Sequence, residues 1–288
     1  MPLAILTFAA CLTVFFASAA GQGGPRIQRA GDPSNAPADL KSLLESAAAY
    51  CDRLSRSVLD FVCRERVEEW FYPDVAKAAA WDRRARRSLI VGRRAIHTFT
   101  YDYQLVRDRS GAVRESRTLL KEDEKDLRVP DAPLKTRLFW HARVVMGPLG
   151  LLSRERQAEH DFRLVRETRE DGERVVVIEA VPKPGVAADH LVGTVWLRIR
   201  DAGILKIEWD PSSIDDYAGV EESAKRFQMT PRVVLTSEYA FEKNGIRFPS
   251  RYIVKETYIR GGRHFQRSEI DVSYDQYKFF TVETRVIY

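Results

Sequence analysis

From Phe61 onward, apolar side chains recur mainly at every second position. The clearest stretch sets Ala95, His97, Phe99, Tyr101, Tyr103 and Leu105 against Ile96, Thr98, Thr100, Asp102 and Gln104. A period of two predicts a half-buried strand with one wet face. Similar runs at 113–120, 162–168, 175–181, 194–200, 204–209, 233–241, 251–259 and 264–274, and a last one from Phe279 to Tyr288, predict about ten strands in all. Turn residues separate them at Asp171-Gly172, Asp201-Ala202-Gly203, Asn244-Gly245 and Gly261-Gly262. Asp-Gly and Asn-Gly between apolar runs are strong hairpin signals. Strands adjacent in sequence imply an antiparallel, meandering sheet.

Three segments break this period. Leu40, Leu43, Leu44, Ala47, Ala48, Cys51, Leu54 and Val58 recur at spacings of three and four, and Pro37 suits the first turn, so a helix opens the domain. A helical interlude bounded by Pro130 and Pro133 carries Leu134, Leu138, Phe139, Trp140, Val144, Val145, Leu149, Leu151 and Leu152, broken at Gly147-Pro148. A short helix over about 217–228 is predicted by Asp215 and Asp216 ahead of Val220, Ala224 and Phe227. The fold class is mainly β with helices (α+β), without internal repeats or a second domain boundary.

Residues 1–20 contain no charged side chain, and Ala17-Ser18-Ala19-Ala20 ends the apolar run with the small residues a signal peptidase needs. The layout is therefore a signal peptide over 1–20 cleaved near Ala20, a Gly-, Pro-, Ser- and Asn-rich flexible linker over 21–37, and a domain over 38–288. Cys11 follows Phe8-Ala9-Ala10, only loosely like a lipobox. Export is to the periplasm or beyond. There Cys51 and Cys63 form the even pair left after cleavage, and they are expected to bridge. A helix ending near Leu59 with a strand doubling back would bring them together, since about eight helical residues descend roughly as far as four extended ones return.

The 288 residues are 44% hydrophobic and 30% charged, with a net charge of +5. That content supports a sizeable core, and the interspersed signs point away from nucleic acid and suit an anionic envelope surface. The densest basic cluster, Arg83, Arg84, Arg86, Arg87, Arg93 and Arg94, is interrupted by Ala85 and by the apolar stretch 89–91. His97, His141, His160, His190 and His264 are scattered, and there is no H-E-x-x-H, G-x-S-x-G, S-x-x-K, Walker loop or G-x-G-x-x-G. No catalytic residue, metal site or cofactor is expected, and the chain reads as a binding protein, not an enzyme. A stripe through Phe99, Tyr101, Tyr103, Val195, Leu197, Ile199, Leu205, Ile207, Trp209, Val233, Leu235, Tyr239, Phe241, Tyr252, Val254 and Tyr258 would line one sheet face, which the helices must cover.

The stretch 193–208, Gly-Thr-Val-Trp-Leu-Arg-Ile-Arg-Asp-Ala-Gly-Ile-Leu-Lys-Ile-Glu, resembles a hairpin of the periplasmic lipoprotein-carrier (LolA-like) superfamily: an apolar strand, an acidic turn, then an apolar-basic-apolar-acidic strand. The order of helix, strands, helical insert and hairpins is similar over nearly all of 38–288. An Arg-Pro-Gly type element of an early carrier strand has no match here. The resemblance implies an antiparallel incomplete β-barrel wrapped around the N-terminal helix and a helical lid. It further implies an apolar ligand or lipoprotein acyl chain on Phe99, Tyr101, Tyr103, Val195, Leu197, Ile207, Leu235, Tyr239, Tyr252 and Val254, under a lid carrying Leu138, Trp140, Val145, Leu149 and Leu152. Two other classes remain. Phe280, Val282, Thr284, Val286 and Tyr288 alternate toward an aromatic end, like the last strand of an outer-membrane barrel. An envelope enzyme could assemble a site from residues distant in sequence.

Overall fold

The computed structural model describes residues 38–57, 61–72, 95–107, 109–110, 113–136, 144, 146–186, 191–213 and 217–280. The expected signal and linker, the 83–94 arginine cluster, His141 and His190, the lid residues Leu138, Trp140 and Val145, and 281–288 lie outside these.

Helix α1 (Leu40–Ser57) matches its expected span. Asp39 caps it: its carboxylate accepts from the Ser42 N–H at 3.0 Å, satisfying one of the orphan donors of the first turn. Arg56 in the last turn complements the helix dipole. The apolar face buries Leu43, Ala47, Tyr50, Cys51 and Leu54.

The strands are β1 (Phe61–Phe71), β2 (Ala95–Arg107), β3 (Val113–Glu122), β4 (Lys125–Val129), β5 (His160–Glu170), β6 (Glu173–Pro182), β7 (Gly193–Arg198), β8 (Ile204–Trp209), β9 (Thr230–Glu238), β10 (Phe241–Lys243), β11 (Ile246–Phe248), β12 (Arg251–Arg260) and β13 (Arg263–Phe279). Helices α2 (Gly147–Leu152) and α3 (Arg154–Glu159) precede β5, and α4 (Tyr217–Phe227) precedes β9. Eleven strands form one sheet in the order β4-β3-β2-β1-β13-β12-β9-β8-β7-β6-β5, while β10 and β11 make a separate hairpin. Every pairing is antiparallel. The sheet is not closed: among the described residues β4 and β5 are its two edges. The result is an incomplete barrel with helices against one face.

Several elements differ from expectation, each for a local reason. Strand β4 is invisible to a hydrophobic pattern because its side chains are mostly exposed, and its turn uses Asp123 and Glu124 at positive φ instead of a glycine. The expected run 233–241 ends at Glu238, and Phe241 belongs to the β10–β11 hairpin. Pro148 lies at the start of α2, where its missing N–H costs nothing, and the helical stretch expected ahead of it, 137–143 and 145, lies outside the described residues.

Cys51 and Cys63 are separate buried thiols, not the expected bridge. The chain does pass from helix to strand between Ser57 and Phe61, but the two sulfurs meet different neighbours. Cys51 Sγ lies 3.7 Å from the Pro148 carbonyl oxygen on α2, and Cys63 interacts with the Tyr277 hydroxyl on β13. Desolvation pushes both thiols up, Cys51 to about 12.

Candidate functional site: the covered inner face

Register fixes which side chains share the inner face. One row crosses nine strands: Phe99, Val67, Val272, Tyr252, Ser237, Ile207, Val195, Ile178 and Leu164, each opposite the next. A neighbouring row runs through Ile270, Val254, Leu235, Trp209, Gly193 and Ala180. Of the ten residues expected to line the face, all ten are buried in one continuous cluster. Leu205 is misplaced by the sequence pattern. It is the extra residue of a bulge in β8, where Trp196 faces Lys206 and Leu197 faces Ile204, so Ile204 turns inward and Leu205 packs outside with Val175, Val177 and Trp196. Tyr258 lies apart with Ala224, Phe227 and Met229, beneath α4.

The face is covered, not hollow. Helix α1 lies across it, and Ala132 and Leu134 cross the side nearer β3. Leu151 and Leu152 of α2 are fully buried in the same cluster, with Leu149 packed against it. Two close approaches set the fit of α2. A Cβ on Gly147 would stand 2.8 Å from the Trp209 ring, and one on Gly150 would stand 2.5 Å from Leu191. Several polar groups on the face are hydrogen-bonded. Trp209 Nε1 donates to Ser237 Oγ at 2.7 Å, and the Tyr239 hydroxyl donates to the Val144 carbonyl at 3.0 Å. The Tyr50 hydroxyl donates to the Arg247 carbonyl at 3.2 Å and accepts its N–H at 2.7 Å, tying α1 to the β10–β11 hairpin. Surface depressions of 840 Å³ beside α4 and 560 Å³ beside Leu40 and Leu44 touch none of the ten residues.

Sequence reasoning missed a charged network on the β1–β3 side of this face. Glu65 follows Phe61 and Cys63 at the inward period of β1 and is fully buried. Arg117 donates to it from Nε at 2.6 Å and Nη2 at 3.1 Å, and to Glu115 from Nη1 at 2.8 Å. The Tyr274 hydroxyl donates to Glu65 at 3.0 Å, the Tyr103 hydroxyl to Glu115 at 3.1 Å, and Arg117 sits 4.8 Å over the Tyr103 ring. Desolvation pulls the Arg117 pKa down, but Glu65 outweighs it and the net shift is upward. Desolvation pushes Tyr101 up to about 12 and Tyr103, Tyr239, Tyr252 and Tyr274 upward as well, so the face carries neutral phenols. The signal available in sequence was one of position: Glu65 and Arg117 stand at inward positions of β1 and β3, on either side of β2, and the long arginine side chain reaches over the Tyr103 ring to the carboxylate.

His97 lies at the far end of β2, its Nδ1 2.8 Å from the Asp123 carboxylate, which also accepts the Thr98 N–H at 2.8 Å. His160 Nδ1 and Nε2 lie 2.8 and 2.9 Å from the Arg156 and Leu191 carbonyls. Each thus has a structural partner. Among the described residues no cluster of His, Cys, Asp and Glu is arranged to hold a metal ion. No described helix is long and apolar enough to cross a membrane. The outer face carries ion pairs such as Arg163–Glu179 at 2.7 Å and Arg200–Glu173 at 2.6 Å, the reverse of the lipid-facing exterior of a membrane barrel.

No family model matches the chain, and no curated protein matches it. Among solved structures it is similar to a LolA superfamily protein from Nitrosomonas europaea at 13% identity and a TM-score of 0.36, covering 86% of this chain and 96% of that one. It is also similar to a putative outer membrane lipoprotein-sorting protein domain from Vibrio parahaemolyticus at 12% identity and TM-score 0.38, covering 85% and 95%. A DUF1329 family protein from Desulfovibrio piger gives 10% identity and TM-score 0.38, covering 83% and 92%. Likenesses this loose concern the general path of the chain and say nothing about ligand or activity.

Proposed function

We propose that this chain is a non-catalytic binding protein of the cell envelope, exported through residues 1–20, that takes an apolar guest on its inner sheet face when α2 is displaced. One observation carries the reading: beside β7 and β8 the apolar rows are met by Gly-Pro-Leu-Gly-Leu-Leu, a helix of six residues whose Gly147 abuts the Trp209 ring and whose Leu151 lies against the Gly193 position. So short a helix, with two glycines, has no stability of its own and is held by what it buries. Leu151 and Leu152 contribute roughly 1.5–3 kcal/mol each by burial, and an acyl chain laid along the same rows would replace that contact with its own. A lipoprotein acyl chain has the linear, unbranched shape such a row admits.

The test is titration with the neutral fluorescent probe 1-N-phenylnaphthylamine. Wild type is expected to bind saturably. Leu152→Ser, which weakens the competing cover without touching the sheet, is expected to bind several-fold more tightly, because closure reduces apparent affinity by the open fraction. If neither protein binds saturably, the inner face is a closed core and the carrier reading is wrong. N-terminal sequencing of the exported protein should begin between about Ala19 and Gly21; a diacylated Cys11 would overturn the soluble-export reading.

A further inference from the structure

The end of the sheet where β1 begins and β13 finishes gathers rings and positive charge. Phe241 stacks on Tyr277 at 4.6 Å and 14°, and on Phe279 at 6.0 Å and 11°. Phe248 meets Phe61 at 5.3 Å and Phe279 at 5.1 Å. At this end Phe241 is 36% and Phe280 53% exposed, the only exposed aromatic rings among the described side chains. Around them stand the exposed Lys243 and Lys278. The Tyr50–Arg247 bonds bring the last turns of α1 to the same end, with exposed Arg53 and Arg56. Among the described residues the acidic side chains there are fewer. Glu242 is paired with Arg198 at 3.0 Å, leaving Asp52 and Asp275 exposed on the surface.

We propose that this end is a docking surface for an anionic lipid bilayer, entered by Phe241 and Phe280 and held by Lys243, Lys278, Arg53 and Arg56. Aromatic rings flanked by long basic side chains suit the boundary between headgroups and acyl chains, where rings bury and the charges reach phosphate. Charge selects this occupant over a second copy of the chain. An isologous contact through this end would bring together two surfaces of the same net sign, whereas an anionic surface complements them. The exposed Phe241 ring is held by the stack it belongs to, with Tyr277, Phe279, Phe248 and Phe61. The surface is independent of any guest on the inner face. It does fix which part of the cover would lie nearest lipid, because Tyr239, two residues before Phe241, holds the Val144 carbonyl just ahead of α2.

The experiment is co-sedimentation of the exported, full-length mature chain with phosphatidylglycerol–phosphatidylethanolamine vesicles, and with phosphatidylcholine vesicles as the neutral control. Binding to the anionic vesicles is expected, weakening as salt is added. Lys278→Ala is expected to lower partitioning about fivefold and Phe280→Ser about tenfold. Both side chains are exposed, so thermal melts should coincide with wild type. Absence of binding to anionic vesicles, equal binding to phosphatidylcholine, or partitioning unchanged in both variants would overturn the proposal. Saturable uptake of the neutral probe in solution without vesicle binding would overturn this surface and leave the inner-face function standing.

Discussion

Replacing Arg117 by Met should be among the most damaging single changes available in this protein. The substitution keeps most of the aliphatic volume but removes the cation from a carboxylate with no solvent access. Glu65 loses two charge-assisted bonds, at 2.6 and 3.1 Å, and retains the Tyr274 hydroxyl at 3.0 Å. At an effective dielectric of about 20, two unit charges at roughly 4 Å attract by about 4 kcal/mol. Breaking a buried pair by removing one partner typically costs about 3–5 kcal/mol, because the remaining charge is left buried. For a domain of this size that corresponds to a fall of roughly 10 °C in melting temperature. The assay is urea unfolding followed by far-UV circular dichroism, for Arg117→Met, Glu65→Leu and the double variant. The double variant should recover most of the loss, since two apolar groups of similar shape need no partners. An Arg117→Met protein within 1 kcal/mol of wild type would refute the account of this network as a buried, mutually dependent charge cluster.

Ellman's reagent should find both thiols silent in the native protein and release two equivalents on denaturation; no release after export would mean a disulfide. The buried phenols make stability fall in alkali. Their folded pKa values lie above the unfolded value of 10.0, Tyr50 and Tyr101 at about 12, so their contribution is complete below pH 10 and lost as pH rises toward 12. Tyrosinate absorbance should therefore appear together with unfolding, and ionisation of these rings in a protein that keeps its circular dichroism would contradict their burial. Gly147→Ala should lower the melting temperature by several degrees while raising probe uptake, because the new Cβ meets the Trp209 ring at 2.8 Å and loosens α2; a loss of uptake would mean that α2 is part of the binding surface.

Where one face of a strand is apolar and the other wet, the sequence was sufficient. Phe99, Tyr101 and Tyr103 announce the inward side of β2, and most of their companions on β7, β8, β9 and β12 were found by the same alternation. The pattern failed where the physics is not one of hydrophobicity. An edge strand such as β4 has nothing to bury, so Lys125–Val129 looks like a loop. A single bulge residue, Leu205, reverses the sense of the period. Glu65 and Arg117 occupy inward positions as a pair, and each considered singly resembles a solvated charge. The two cysteines were close enough in chain to suggest a bridge, but the sequence does not say that α2 stands beside one and Tyr277 beside the other.

The order of strands has a consequence for how the protein is made. Strand β1 pairs on one side with β2, a near neighbour in chain, and on the other with β13, the last strand of the sheet. A chain synthesised amino end first would complete β1–β4 early, with one long side of β1 lacking its partner until the final hairpin arrives. That waiting side includes Val67 and the backbone beside Glu65, and it spans Phe61–Phe71. An unpaired strand of this length is a template for pairing with other chains. Loop closure over the whole domain also makes the last pairing slow relative to the local meanders on either side. Biogenesis would then be most vulnerable in the interval before β13 docks, and truncations that remove this strand should aggregate even though both flanking meanders are intact.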